Sequence, residues 1–145
     1  MVHLEEAAAL HRRCPVIDGH ADSILMVLSG ERTLTDRSDK GHIDWPRARE
    51  AGITCTVQAA WVDPVYYPVA PRRAHEAIDG LLRQIGGARG VRLALRADDI
   101  TAAHQAGELA VLLNIEGAEA IQGSLALLRN YYRLGVRMMG LVWNH

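Results

Sequence analysis

His20 and Asp22 follow the apolar run Pro15-Val16-Ile17-Asp18-Gly19 and stand two residues apart. On a strand, side chains alternate between faces, so this spacing turns His20 and Asp22 to one side and Ala21 to the other. A neutral imidazole and a carboxylate delivered together to the end of a buried strand are good donors for a divalent transition metal such as Zn2+. The same triplet also arises without chemistry, as a strand-end aspartate beside a hydrogen-bonded histidine. A further ligand arriving at the same place separates the two readings. Glu116 is the candidate: it closes the apolar run Leu109-Ala110-Val111-Leu112-Leu113-Asn114-Ile115 and precedes Gly117, a position equivalent to that of His20.

Apolar runs that do not alternate with polar residues belong to strands covered on both faces, which predicts a parallel sheet with helices outside. Ligands at the ends of parallel strands then meet at one mouth. The elements that must hold them read as follows. A helix is expected over residues 3–13, ended by Pro15, then a strand over 16–20 and a helix starting near Asp22. After a polar loop over 30–41, Asp44 can cap a short helix with Pro46 in its first turn, closed by Gly52. A strand over 53–62 follows, and the three prolines of 63–71 predict a loop. Ala74, Ala77, Ile78, Leu81, Leu82 and Ile85 mark one buried face of a helix over 72–85. A short strand over 91–95, a helix capped by Asp98 and ending at Gly107, the strand over 109–115, a helix over 124–134 with Gly135 as C-cap, and a strand over 136–143 complete the pattern. Strands and helices alternate, so the class is α/β with right-handed crossovers. About four principal strands are legible where a closed (β/α)8 barrel needs eight, which is half a barrel. Because the last strand would end at an unprotected edge, truncation is expected.

The 145 residues carry 16 basic and 17 acidic side chains, a formal net charge of −1. With no basic block beyond the pairs Arg12-Arg13 and Arg72-Arg73, no nucleic-acid or anionic-membrane partner is expected. The first ten residues carry Glu5 and Glu6 where a signal peptide needs basic residues, and no apolar stretch reaches the roughly 20 residues of a membrane helix. A cytoplasmic location follows as an expectation. Cys14 and Cys55 are read as reduced, mostly buried thiols.

Four blocks resemble the membrane (renal) dipeptidase family of binuclear zinc metallopeptidases. Val16-Ile17-Asp18-Gly19-His20-Ala21-Asp22 is similar to that family's opening (V/I)-D-G-H-N-D strand, and His42 to Gly52 resembles its H-x-D-L-P-R-x-R-x-G segment. Ile115-Glu116-Gly117 and the helix and turn Ser124 to Arg137 match in order. The resemblance runs from Cys14 to His145. It implies a (β/α)8 TIM-barrel-like metallohydrolase fold, of which residues 1–145 form the N-terminal half of one domain. It implies two Zn2+ per complete site, with His20 and Asp22 binding one and Glu116 bridging to the second. It also implies a dipeptide substrate, hydrolysed by metal-activated water with Glu116 as a catalytic residue. The family's histidine ligands for the second zinc, and the later histidine, arginine and aspartate that hold substrate, have no counterpart in these 145 residues. Trp143 stands where mammalian members have a substrate-contacting histidine, so no role carries over. His145 is expected at the mouth, its role open. Other readings are an amidohydrolase acting on cyclic amides or nucleobases, where His-x-His rather than His20-x-Asp22 is expected, and an inactive fragment or pseudo-enzyme. The open sheet edges of a half barrel make a homodimer possible.

Asp18 is expected to share the face of His20, either supporting the ligands from behind or held by backbone N–H groups. His42 and Asp44 are assigned to a loop and a helix cap rather than to metal. His3, His11, His75 and His104 fall on helical stretches and are expected to be solvated. Gly86-Gly87-Ala88-Arg89-Gly90 lacks the setting of a phosphate loop and is read as a turn.

Overall fold

The computed structural model describes residues 2–144, so His145 lies outside the described residues. Helix α1 (Val2–Arg13) leads into strand β1 (Ile17–Ala21) and the short helices α2 (Ile24–Leu28) and α3 (Trp45–Glu50). Strand β2 (Cys55–Trp61), helix α4 (Ala70–Gly86), strand β3 (Val91–Leu93), helix α5 (Ala97–Ala106) and strand β4 (Leu109–Glu116) follow, then helix α6 (Leu125–Arg133) and strand β5 (Val136–Gly140). The five strands form one parallel sheet. Strand β2 lies between β1 and β4, and the far side of β4 pairs with β3 along its beginning and with β5 along its end. The principal order is therefore β1-β2-β4-β5, the sequential order of a barrel wall, with β3 a short insertion at its base.

Both faces of the sheet are covered, as the continuous apolar runs of β2 and β4 require. On one face Val111, Leu113 and Ile115 pack with Ala60 against the α4 stripe Ala70, Ala74, Ala77, Ile78, Leu81 and Ile85. On the other, Cys55 and Ala110 meet Ala103 of α5, and burial pushes the Cys55 thiol up to about 11. Among the described residues strand β1 pairs with β2 alone, Ile17 at its start is 56% exposed, and His20 is its penultimate residue.

Local corrections have local causes. In 63–71 the prolines do not prevent helix: Pro64–Val69 is a 3-10 helix capped by the Asp63 carboxylate, which accepts the Val65 N–H at 3.0 Å. Helix α4 starts at Ala70 because Pro71 occupies its first turn, where no N–H is needed. At α5, Asp99 rather than Asp98 secures the N-terminus, accepting the Leu95 and Arg96 N–H groups at 2.8 Å each. Strand β5 stops at Gly140, three residues early, and Leu134 takes the C-cap position before Gly135. Gly135 itself has φ +105°, and a Cβ there would lie 2.9 Å from Leu93 Cδ2. Cys14 is exposed while Cys55 is buried. The four helix histidines have partners, the exposed His3 only an ion pair with Glu6 at 3.5 Å. His11 Nδ1 donates to Ala51 O at 2.8 Å, His75 Nδ1 to Pro71 O at 2.7 Å, and His104 Nδ1 pairs with Thr54 Oγ1 at 3.2 Å.

The segment before β2 hangs on Asp44, which is fully buried. Its carboxylate accepts the backbone N–H of Arg47 at 2.8 Å and of Ser38 at 3.0 Å, and pairs with the Arg47 guanidinium at 2.6 Å. Burial alone would raise this carboxyl, but those donors outweigh it and hold it below its ordinary value. Asp44→Ala is expected to lower stability by about 2 kcal/mol at pH 7, since it removes a cap and strands buried donors. A carboxyl depressed on folding contributes fully above its unfolded value of about 4 and loses that contribution as pH falls through the folded value. Urea unfolding of both proteins at pH 7 and in acid should therefore show the gap between wild type and variant shrinking in acid.

Candidate metal centre

His20 and Glu116 stand on strands separated by β2, so their backbones are two strand spacings, roughly 10 Å, apart. Their side chains nevertheless meet. His20 Nε2 lies 3.3 Å from Glu116 Oε2 and 3.2 Å from Asp22 Oδ2, and one donor atom from each of the three residues lies within 4.8 Å of the others. Both long side chains reach over β2, whose residues on that face include Ala59, fully buried and in register with Asn114, and Trp61, in register with Glu116. The Ala59 side chain, no larger than a methyl, leaves room for the bridge. Gly117, at φ +92°, then turns the chain away directly after Glu116.

His20 is positioned by a relay that sequence reading missed. Between Asp18 and Ala21 the register shifts: Asp18 pairs with Thr56 and Ala21 with Gln58, three steps of β1 against two of β2. The bulge breaks the simple alternation that would put Asp18 and His20 on one face. Gln58 Nε2 donates to Thr56 Oγ1 at 2.9 Å, Thr56 Oγ1 donates to Asp18 Oδ2 at 2.8 Å, and the His20 backbone N–H faces Asp18 Oδ1 at 3.4 Å. Asp18 thus supports the site through the backbone of His20, which unites its two expected roles. The available signal was Thr56 and Gln58 themselves, polar residues at period two in an otherwise apolar strand. His42, exposed in its loop, and Asp44, the cap of α3, stay outside the cluster, as expected.

One imidazole and two carboxylates suit a divalent ion such as zinc. Two donors each about 2.1 Å from one ion stand about 3.0–3.4 Å apart at octahedral or tetrahedral angles. The His20 separations of 3.2 and 3.3 Å match that range. Within these residues the side chains are 44% exposed for His20, 46% for Asp22 and 26% for Glu116.

Residues 4–145 match the model of Membrane dipeptidase (Peptidase family M19). The chain belongs to the membrane dipeptidase family. Among its relatives, dipeptidase 3 of Mus musculus is 30% identical over 96% of this chain and 29% of its own length. Solved structures agree. The dipeptidase AC, a metallopeptidase, superposes with a TM-score of 0.82 at 28% identity, covering 90% of this chain and 43% of that one. A metallopeptidase from Rhodobacter sphaeroides, liganded with a phosphinate mimic of the dipeptide L-Ala-D-Ala, gives 0.79 at 26% identity, covering 90% of this chain and 46% of that one. The chain spans half or less of the length of these curated relatives and covers roughly the first half of the family's TIM-barrel-like fold.

If the relay positions His20, removing its central hydroxyl weakens metal binding without touching a ligand. Thr56→Val is expected to lower zinc affinity about tenfold, the usual effect of losing a partner behind a ligand. Chelator competition on the folded variant checks this, and unchanged affinity would remove Asp18 and Thr56 from the account of the site.

Proposed function

We propose that this chain carries one metal half of the centre of a zinc-dependent dipeptidase. The observation that supports this reading most directly is the convergence of His20, Asp22 and Glu116 at the ends of parallel strands in a chain of this family. His20 and Asp22 would hold one ion, with the Glu116 carboxylate, whose Oε2 lies 3.3 Å from His20 Nε2, beside them as a further ligand. A divalent ion held here supplies Lewis acidity, making water a nucleophile near neutral pH and polarising an amide carbonyl.

The chain's own residues do the rest of the work in this half. Asp18, Thr56 and Gln58 tie down the backbone from which the His20 ring projects. Dipeptides are the proposed substrates, since relatives are named as dipeptidases and one is liganded with a dipeptide mimic. The family's ligands for the second ion, and the groups that grip the substrate, are assigned to the half of the barrel these residues do not represent. The 145-residue chain by itself is then a zinc binder without turnover.

Purified chain should retain zinc through gel filtration, and Glu116→Gln, whose amide offers one good donor oxygen in place of two, should bind it at least about tenfold more weakly. Neither should hydrolyse alanyl dipeptides above the buffer rate. A chain that retains no zinc contradicts the metal assignment, while metal-dependent turnover by these residues alone contradicts the assignment of the remaining groups to the other half.

A further inference from the structure

Trp61 is the last residue of β2, and its register partner on β4 is Glu116. Side-by-side residues of parallel strands present their side chains to the same face, so the Trp61 indole stands next to the Glu116 carboxylate at the mouth of the sheet. A second indole joins it there. Trp143 follows β5 and packs on Trp61 with ring centroids 5.1 Å apart and planes inclined by 58°. Both rings are partly exposed. Trp61 Nε1 is buried and has no hydrogen-bond partner among the described residues, so no polar contact of its own orients this indole; ring packing does. Two large apolar rings thus stand beside the polar three-ligand cluster, on the side of Glu116.

Resting on the metal-centre reading above, we infer that Trp61, packed against Trp143, is a specificity-determining wall that receives an apolar, preferably aromatic, substrate side chain beside the metal ligands. A ligand whose polar group sits at His20, Asp22 and Glu116 places its neighbouring side chain within reach of the residue flanking Glu116. Aromatic rings favour tilted or offset packing at this spacing, which the Trp61–Trp143 pair already adopts and a third ring can extend.

The test uses binding rather than turnover. Zinc-loaded chain is titrated calorimetrically with alanine hydroxamate and phenylalanine hydroxamate, which share the metal-binding group and differ by one phenyl ring. Wild type is expected to bind the phenylalanine compound about tenfold more tightly, the scale of one aromatic contact. Trp61→Ala should bring that ratio to about one at unchanged zinc stoichiometry, and Trp61→Phe should keep most of the preference. Equal affinities in wild type, or a preference that survives in Trp61→Ala, overturn the inference while leaving the metal centre standing. Failure of wild type to take up zinc overturns both.

Discussion

The site depends on a span: a histidine and a glutamate on non-adjacent strands have to meet across the strand between them. That requirement propagates through the fold. Strand β2 must pair on both sides in fixed register, because a one-residue slip would carry Glu116 to the opposite face of the sheet. On the face of β2 that carries the bridge, Ala59 offers only a methyl, and Trp61 stands level with Glu116 at the end of the strand. The pairing of β2 with β4 is unbroken from Cys55 to Trp61 and from Ala110 to Glu116, which fixes the register of Glu116.

The His20 side is built differently. Strand β1 pairs with β2 through a bulged register, and side-chain hydrogen bonds tie its last residues to that strand. The Gln58–Thr56–Asp18 relay reaches from the buried central strand to β1 and ends on the backbone of the metal-ligand candidate itself. A buried polar network of this kind rigidifies what it touches as long as each member is engaged. Gln58 Oε1 has no partner among the described residues, which marks that end of the relay as its least satisfied point.

Much of this was legible in the residues. The uninterrupted apolar runs of β2 and β4, the stripe on α4 and the cap at Asp44 each follow from one physical rule, and the His20, Asp22 and Glu116 convergence followed from placing ligands at strand ends. What was not legible depended on contacts between segments. Period-two reasoning assumes an unbroken strand, so the bulge in β1 hid the turn of Asp18 toward Thr56. His11 and His104 looked like solvated helix residues because their partners, Ala51 and Thr54, lie forty or more residues away in the chain. Asp98 is the cap expected from sequence, and the backbone geometry selects its neighbour Asp99 instead.

The central claim is that one ion is shared by three side chains from two non-adjacent strands. Crystals of the chain grown with zinc, measured on both sides of the zinc absorption edge, test it directly. The account predicts an anomalous peak about 2.0–2.2 Å from His20 Nε2 and from a carboxylate oxygen of both Asp22 and Glu116. A peak bound by His20 and Asp22 but out of reach of Glu116, or no peak at this end of the sheet, would contradict it.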